Sequence, residues 1–385
     1  VSCASNCPAQ AKTYATNSLI IPMDTRQIGV PQPGLQDAGI FKAYGLVYQL
    51  LVNGVPVDWI MRPGKVYGGD DFTNSFLDLH TLTTGTHNYR GGPFVIDAAN
   101  RTAALPIIQS WQAANPSVVV HEATAPFSAN VGRSLVAAPR LAVLADGYEA
   151  IAFAYLNAAS IPDSQSNAWS SLSIDLVTPA QVAGPTTTNH HDGALFDSNS
   201  VPRFSLLMSM HETVSSLAPV PEMVAEVGEF LKSRTLLFAE CQSARAFENT
   251  VSGLTLLTNG NFLTDQGIAT AAQPASGNIV ITFADQPIAQ DDGPFATVTG
   301  SDPAWIPVST FLGIEGEEYA RVIRVADTNI VLGVLGYAFQ NTNAGRVFYL
   351  GGHQYTTTLP ISSNPTSDGV RYFLNALLFA PSTAT

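Results

Sequence analysis

With 385 residues, 46% of them apolar and 12% charged, the chain is long enough for one large domain or two ordinary ones. A net charge of −13, with only 17 Lys and Arg spread singly, offers no basic patch to neutralise phosphates and argues against a nucleic-acid partner. No apolar run reaches the roughly 18 residues of a membrane-spanning helix, so no span is expected.

Residues 1–17 read as a polar arm. The start, Val1-Ser2-Cys3-Ala4-Ser5-Asn6-Cys7-Pro8, has no initiator Met and no charged-then-apolar leader. A targeting segment already removed would leave such a start, and so would trimming. Cys3 and Cys7 are spaced to close a small disulfide loop, which leaves Cys241 as the odd thiol. Lysine is rare (Lys12, Lys42, Lys65 and Lys232) and Ser, Thr, Asn and Ala abound. Together these features suggest a secreted or cell-surface protein.

Leu19–Asp24 is expected to be a short buried strand ending in an acid. Ile40–Val52 places Phe41, Tyr44, Tyr48 and Leu51 at helical spacing, with Asn53-Gly54 as the stop. Val55–Met61 follows as a strand, so the segment reads as a β-α-β unit with a parallel pair. Strands are expected at Pro93–Asp97, Val118–His121 and Leu141–Leu144. Helices are expected at Ala103–Gln112, Phe127–Val136 and Gly147–Ala158. This alternation predicts an α/β core over residues 18–250: an open, mainly parallel sheet with helices on both faces, flavodoxin-like in arrangement.

Residues 160–202, rich in Ser, Thr, Asn, Asp and Pro, read as a long excursion with one strand at Leu172–Val177. Alternation resumes with Phe204–Met210, a helix at Pro221–Lys232 and a strand running into Cys241. Residues 251–345 hold short β-like runs (Leu254–Leu257, Ile279–Phe283, Arg321–Val325 and Ile330–Tyr337) between Gly, Asp and Pro turns, and read as a β-rich insertion or lid. Residues 346–385 return to the core with Arg346–Leu350 and a helix at Val370–Phe379.

The chemistry centres on Cys241. An apolar strand ends there and a helical stretch begins at once, with the small residues Ala239 and Ser243 two positions to either side. A nucleophile on a sharp strand-to-helix turn has this layout, because the turn lifts its side chain above the sheet. A buried cysteine at a strand end is also commonly a small core hydrophobe, and that reading stands beside the first. His353 follows an apolar strand and Gly351-Gly352, at the edge where open α/β sheets place their sites. It is the candidate base. The backbone N–H of Gln242 is the first candidate donor to an oxyanion.

Leu19–Asp24 with Phe41–Val57, the elbow Ala239-Glu240-Cys241-Gln242-Ser243, and Gly345–His353 followed by Asn375-Ala376-Leu377-Leu378 resemble the class I glutamine amidotransferase-like superfamily, including its trehalose-utilisation-type branch. The resemblance covers about a fifth of the chain. The elbow lacks its usual glycine, the cysteine lies far later than in compact members, and trehalose-utilisation-type members generally lack it. The resemblance implies that a strand-end acid tunes the thiol, for which Asp24 is the candidate.

Other polar groups have bland readings. His190-His191-Asp192 supplies two metal-type side chains without an identifiable third, so no metal and no cofactor is expected. Asp70-Asp71 and Asp291-Asp292-Gly293 read as ordinary turns, and Arg90-Gly91-Gly92 as a turn before a strand. His121-Glu122 ends a strand, and Glu240 should point away from Cys241. Two functions follow. One is a cysteine-dependent hydrolase of amide or related acyl bonds, acting on a small-molecule or peptide-like substrate. The other is a non-catalytic extracellular binding or structural protein that self-associates as a homo-oligomer through its β-rich segments.

Overall fold

The computed structural model describes residues 10–26, 33–213, 215, 217–248, 260–264, 267–271, 279–293, 295–298, 305–307, 321–325 and 330–381. Cys3, Cys7 and Leu254–Leu257 lie outside these residues.

The first 135 residues build one sheet. Its strands are Gln10–Tyr14 (β1), Leu19–Ile21 (β2), Val57–Ile60 (β3), Phe72–Asp78 (β4), Thr84–Tyr89 (β5), Phe94–Ile96 (β6), His121–Ala123 (β7) and Phe127–Leu135 (β8). They lie in the order β1-β8-β3-β6-β2-β7-β4-β5, and every neighbouring pair is antiparallel. The second sheet takes Leu141–Leu144 (β9), Leu176–Val177 (β10), Leu206–Ser209 (β11), Leu236–Glu240 (β12), Ile268–Thr270 (β13), Ile279–Ile281 (β14), Trp305–Pro307 (β15), Arg321–Val325 (β16), Val331–Tyr337 (β17) and Arg346–Leu350 (β18). Its path is β10-β9-β11-β12-β18-β17-β15-β13. The run from β10 to β18 is parallel, and the pairs beyond β18 are antiparallel. Strand β16 pairs with β14 and β17, also antiparallel.

The helices are Ile40–Val52 (α1), Arg101–Ala114 (α2), Ala150–Ala159 (α3), Pro179–Ala183 (α4), Val220–Lys232 (α5), Ser243–Glu248 (α6) and Asp368–Phe379 (α7). Side-chain alternation assigns the layers. Leu19, Ile21, Phe94 and Ile96 of the first sheet share a core with Val143, Met208, Phe238 and Phe348 of the second, and with α1, α3 and α7. The intervening Ile20 and Val95 face a smaller cluster with Tyr14, Phe72 and Phe127. On the far side of the second sheet, Leu144, Leu207, Leu237 and Val347 pack on α4, α5 and α6.

The expectation of one open, mainly parallel, flavodoxin-like sheet is therefore corrected, and with it the amidotransferase-like architecture that the resemblance implied. Among the described residues there are two sheets, the first wholly antiparallel and the second parallel in only half its width. The reason is local. Strands β2 and β3 flank α1 as expected, but β6 lies between them, antiparallel to both. The expected helix at Phe127–Val136 is strand β8, whose first positions alternate buried and exposed. At the expected strand Val118–His121, pairing begins only at His121.

A buried polar cluster joins the two sheets through α7. Arg371 donates to Asp291 at 3.0 Å, to the Met23 carbonyl at 2.9 Å and to the Gly91 carbonyl at 3.3 Å. Asp292 accepts from the backbone N–H and hydroxyl of Thr25, both at 3.0 Å. Lys65 pairs with both oxygens of Asp71 and with Gln290 at 2.7 Å. The carboxylates read as plain turn residues are thus, apart from Asp70, interior charges, held there because each has a cationic or N–H partner. Arg371→Met leaves Asp291 buried without its counter-charge and Asp292 with Arg90 alone, at 3.5 Å. It should cost about 3–5 kcal/mol in urea unfolding. Arg101→Met, which breaks the half-exposed pair with Glu122, should cost no more than about 1 kcal/mol.

Candidate active site

Four parallel strands end at one edge of the second sheet, and each delivers side chains into the same place. The loop after β9 carries Asp146 and Tyr148, the end of β11 leads to His211 and Glu212, β12 runs into Cys241, and β18 leads to His353. Carboxyl ends of parallel strands are where open α/β sheets gather ligand-binding groups, because the crossing loops converge there.

Cys241 is held in an unusual backbone conformation. Its φ is +54°, a left-handed geometry uncommon for a residue with a Cβ. Its N–H donates to the Leu350 carbonyl at 3.0 Å, extending the β12–β18 ladder by one bond before the chain turns into α6. The turn keeps Sγ at 3.5 Å from His353 Nδ1. His353 Nδ1 lies 3.1 Å from His211 Nδ1, and all three atoms lie within 4.8 Å of one another. Gly352 shapes the approach of His353. Its φ is +103°, and a Cβ there would meet Val298 at 2.7 Å and the Tyr355 hydroxyl at 3.0 Å.

Cys241 has no exposed surface, yet its polar neighbours are imidazoles, not apolar groups alone. Tyr148 is half-exposed and packs its ring 4.3 Å from that of His211 and 5.2 Å from that of His353. Burial, followed by the charge of His353, holds the His211 pKa below the usual histidine range, while a hydrogen bond that its ring donates to the Gln242 side chain opposes this. In its neutral form His211 has one N–H and one lone pair to share.

Three acids lie on the strand ends and loops that carry these side chains. Asp146 fastens two loops together by accepting from the N–H groups of Met210 at 2.7 Å, His211 at 2.8 Å and Tyr148 at 3.0 Å. Burial raises its pKa and those hydrogen bonds lower it in part. Burial and the neighbouring Asp146 push Glu212 up to about 7. Glu240 is fully buried, accepts from Tyr155 at 3.2 Å, and is raised well above the usual range by desolvation.

The sequence candidates separate into two groups. Cys241 and His353 meet, and Gln242 begins the turn beside them. Asp24 belongs to the first sheet, where it contacts His87 at 2.8 Å and Arg90 at 3.9 Å. The two nitrogens of His87 face oxygen atoms, Asp24 Oδ2 at 2.8 Å and the Pro33 carbonyl at 3.0 Å. His121 is bound to Tyr89 and Glu122 to Arg101. His191 faces Glu229 at 3.7 Å, and among the described residues His190 and His191 do not join a third ligand. Sequence reasoning missed His211, Asp146 and Tyr148. The signal was present for His211, which stands one residue past the expected strand Phe204–Met210, the same position relative to a strand that singled out Cys241.

Two outcomes follow. Because Cys241 adopts a positive φ, Cys241→Gly should be more stable than Cys241→Ala by about 1 kcal/mol in urea unfolding, the reverse of the usual order. For Glu212, the folded pKa of about 7 lies above its ordinary 4.5, so folding takes up a proton between these values. Its contribution is full below about pH 4.5 and is lost as pH rises through about 7. Glu212→Gln should flatten the fall of unfolding free energy across that window, measured by urea titration at successive pH values.

No family model matches the chain, and no curated protein does. Among solved structures it is similar to Gan42B, a GH42 β-galactosidase of G. stearothermophilus, at 10% identity over 71% of this chain and 32% of that one, with a TM-score of 0.29. It is similar to a cytoplasmic protein of Salmonella typhimurium at 13% identity over 54% of this chain and 80% of that one, TM-score 0.30. It is also similar to a β-galactosidase of Bacillus circulans sp. alkalophilus at 12% identity over 63% of this chain and 30% of that one, TM-score 0.30. The chain spans about a third of the length of these β-galactosidases. No helix of the described residues is long and apolar enough to cross a membrane.

Proposed function

We infer that the protein is a cysteine-dependent hydrolase of amide or related acyl bonds in a small-molecule or peptide-like substrate. The observation that carries this reading is the left-handed turn at Cys241 with its sulfur 3.5 Å from His353. A strained backbone at a strand end is seldom kept for packing alone, and here it aims a thiol at an imidazole. His353 Nδ1 takes the thiol proton, and the thiolate attacks the acyl carbon. The backbone N–H of Gln242, next to the nucleophile, is the candidate donor to the oxyanion that forms. His353 then returns the proton to the leaving amine, and water hydrolyses the thioester with His353 again as base.

The reading is tested by alkylating the folded protein with iodoacetamide and following Cys241 by peptide mass. The rate should rise with an apparent pKa below the free-thiol value of about 8.5. His353→Ala should slow alkylation at pH 7 by about 10-fold or more, since less thiolate is present. Against a panel of amides and esters, Cys241→Ser should abolish turnover. A thiol that stays unreactive until the protein unfolds would sink this reading and leave a non-catalytic binding or structural role.

A further inference from the structure

His353 Nδ1 faces two partners at once, the Cys241 sulfur and His211 Nδ1. One ring nitrogen can donate one proton or accept with one lone pair, so it cannot serve both contacts fully as a hydrogen-bonding atom. Three donor atoms crowded around one point, with too few protons between them, is an arrangement that a metal ion satisfies. Two of the separations agree with that. Tetrahedral zinc with Zn–N near 2.05 Å and Zn–S near 2.3 Å sets ligand atoms about 3.3 Å apart for N–N and about 3.6 Å for N–S. The N–N separation here is 3.1 Å and the His353–Cys241 separation 3.5 Å, while the ligand atoms of Cys241 and His211, within 4.8 Å, close to about 3.6 Å on binding.

The surroundings favour a cation as well. Asp146 holds the backbone N–H of His211 and fixes the loop that carries it. Glu212 is buried, and its Oε2 meets no hydrogen-bond donor among the described residues. The ligand set of one thiolate and two imidazoles is of the softness that selects zinc over magnesium or calcium.

We propose that Cys241, His211 and His353 bind one zinc ion, which masks the nucleophile until the ion is removed. On binding, the thiol loses its proton to solvent, a sulfur–zinc bond forms, and both imidazoles bind through Nδ1 lone pairs. The fourth position is left to water or a small anion. Masking rests on the cysteine-hydrolase reading, whereas the binding itself does not.

The test uses the full chain carrying Cys3→Ser and Cys7→Ser, so that Cys241 is the sole thiol. After treatment with a chelator, the protein is titrated with cobalt(II) and with zinc(II). One equivalent of cobalt should give a thiolate-to-metal charge-transfer band, which zinc displaces. One equivalent of zinc should suppress iodoacetamide labelling of Cys241, and a chelator should restore it. His211→Ala should weaken zinc binding by at least about 100-fold. The absence of a thiolate–cobalt band in the unsubstituted site overturns the proposal, with no need for the His211 variant to fold. Labelling unaffected by zinc, or full zinc affinity in a folded His211→Ala protein, overturns it too. Labelling in chelator alone reports on the nucleophile. A slow, unactivated thiol that still gives the cobalt band defeats the hydrolase reading and spares the metal site. A fast thiol without the band does the opposite.

Discussion

The register of β12 against β18 decides what this molecule can do. Glu240 pairs with Leu350, and the next N–H, that of Cys241, still reaches the Leu350 carbonyl. That one bond places the turn into α6 next to Gly351-Gly352, so a cysteine and a histidine 112 residues apart in sequence meet at hydrogen-bonding distance. A slip of β12 by one residue would turn Phe238 out of the central core and Leu237 into it, because side chains alternate with period two. Burial on both faces of the sheet thus specifies the geometry of the site. The apolar residues of these strands are the means by which the sulfur is positioned.

A second constraint acts between the sheets. Segment 284–293 threads back to the first sheet and is held there by polar groups. Tyr44 donates to Asn375, and Asn375 donates to the Ile288 and Gln290 carbonyls at 3.2 and 2.9 Å. Asp292 meets Thr25, and Asp291 meets Arg371. Burying so many charges costs desolvation free energy that ion pairing offsets only when the geometry is complete. Their contribution is to orientation. Apolar layers would tolerate many angles between the sheets, whereas directional hydrogen bonds at α7 allow few. Because β18 and α7 lie on the same closing segment, this cluster also anchors the stretch of chain that carries His353.

How much of this was legible in the sequence depended on whether the signal was local. Helix α1 is bounded where Asn53-Gly54 ends the helical spacing, and Cys241 and His353 were visible as polar residues directly past apolar strands. Pairing partners were not legible. Leu19–Ile21, Phe94–Ile96 and Val57–Ile60 are short buried runs that read alike, and nothing in them says that the second lies between the other two. Strand β8 was misread because Ser128, Asn130, Gly132 and Ser134 give its exposed face little character, while Ala129 and Leu135 fit a helix equally well. Asp24 was singled out as the acid ending an expected strand, but that strand stops at Ile21, three residues earlier, and belongs to the other sheet. Position past a strand is a sound indicator of a site only when the strand's direction and sheet are known. His211 shows the reverse case, passing the same local criterion and belonging to the site.

The chemistry of the site turns on how burial weakens the ionisation of its acids. A thiolate beside three ionised carboxylates would be strongly disfavoured, since like charges at short range raise the pKa of each. Burial counters this by raising Glu240, which accepts from Tyr155, well above the usual carboxylate range and by lifting Glu212 to about 7. Asp146 spends its lone pairs on backbone N–H groups of the two loops it joins, which spreads its charge into the scaffold. What remains mobile is the small set of protons shared by Cys241, His353 and His211. Removing the thiol proton creates an anion whose nearest neighbour can become a cation, and the pair stays neutral overall. The same poise suits a divalent cation, whose arrival would favour ionisation of the acids that burial now opposes. One arrangement of sulfur and imidazoles therefore accommodates either a proton or a metal ion, and which of them occupies it sets whether the thiolate is available.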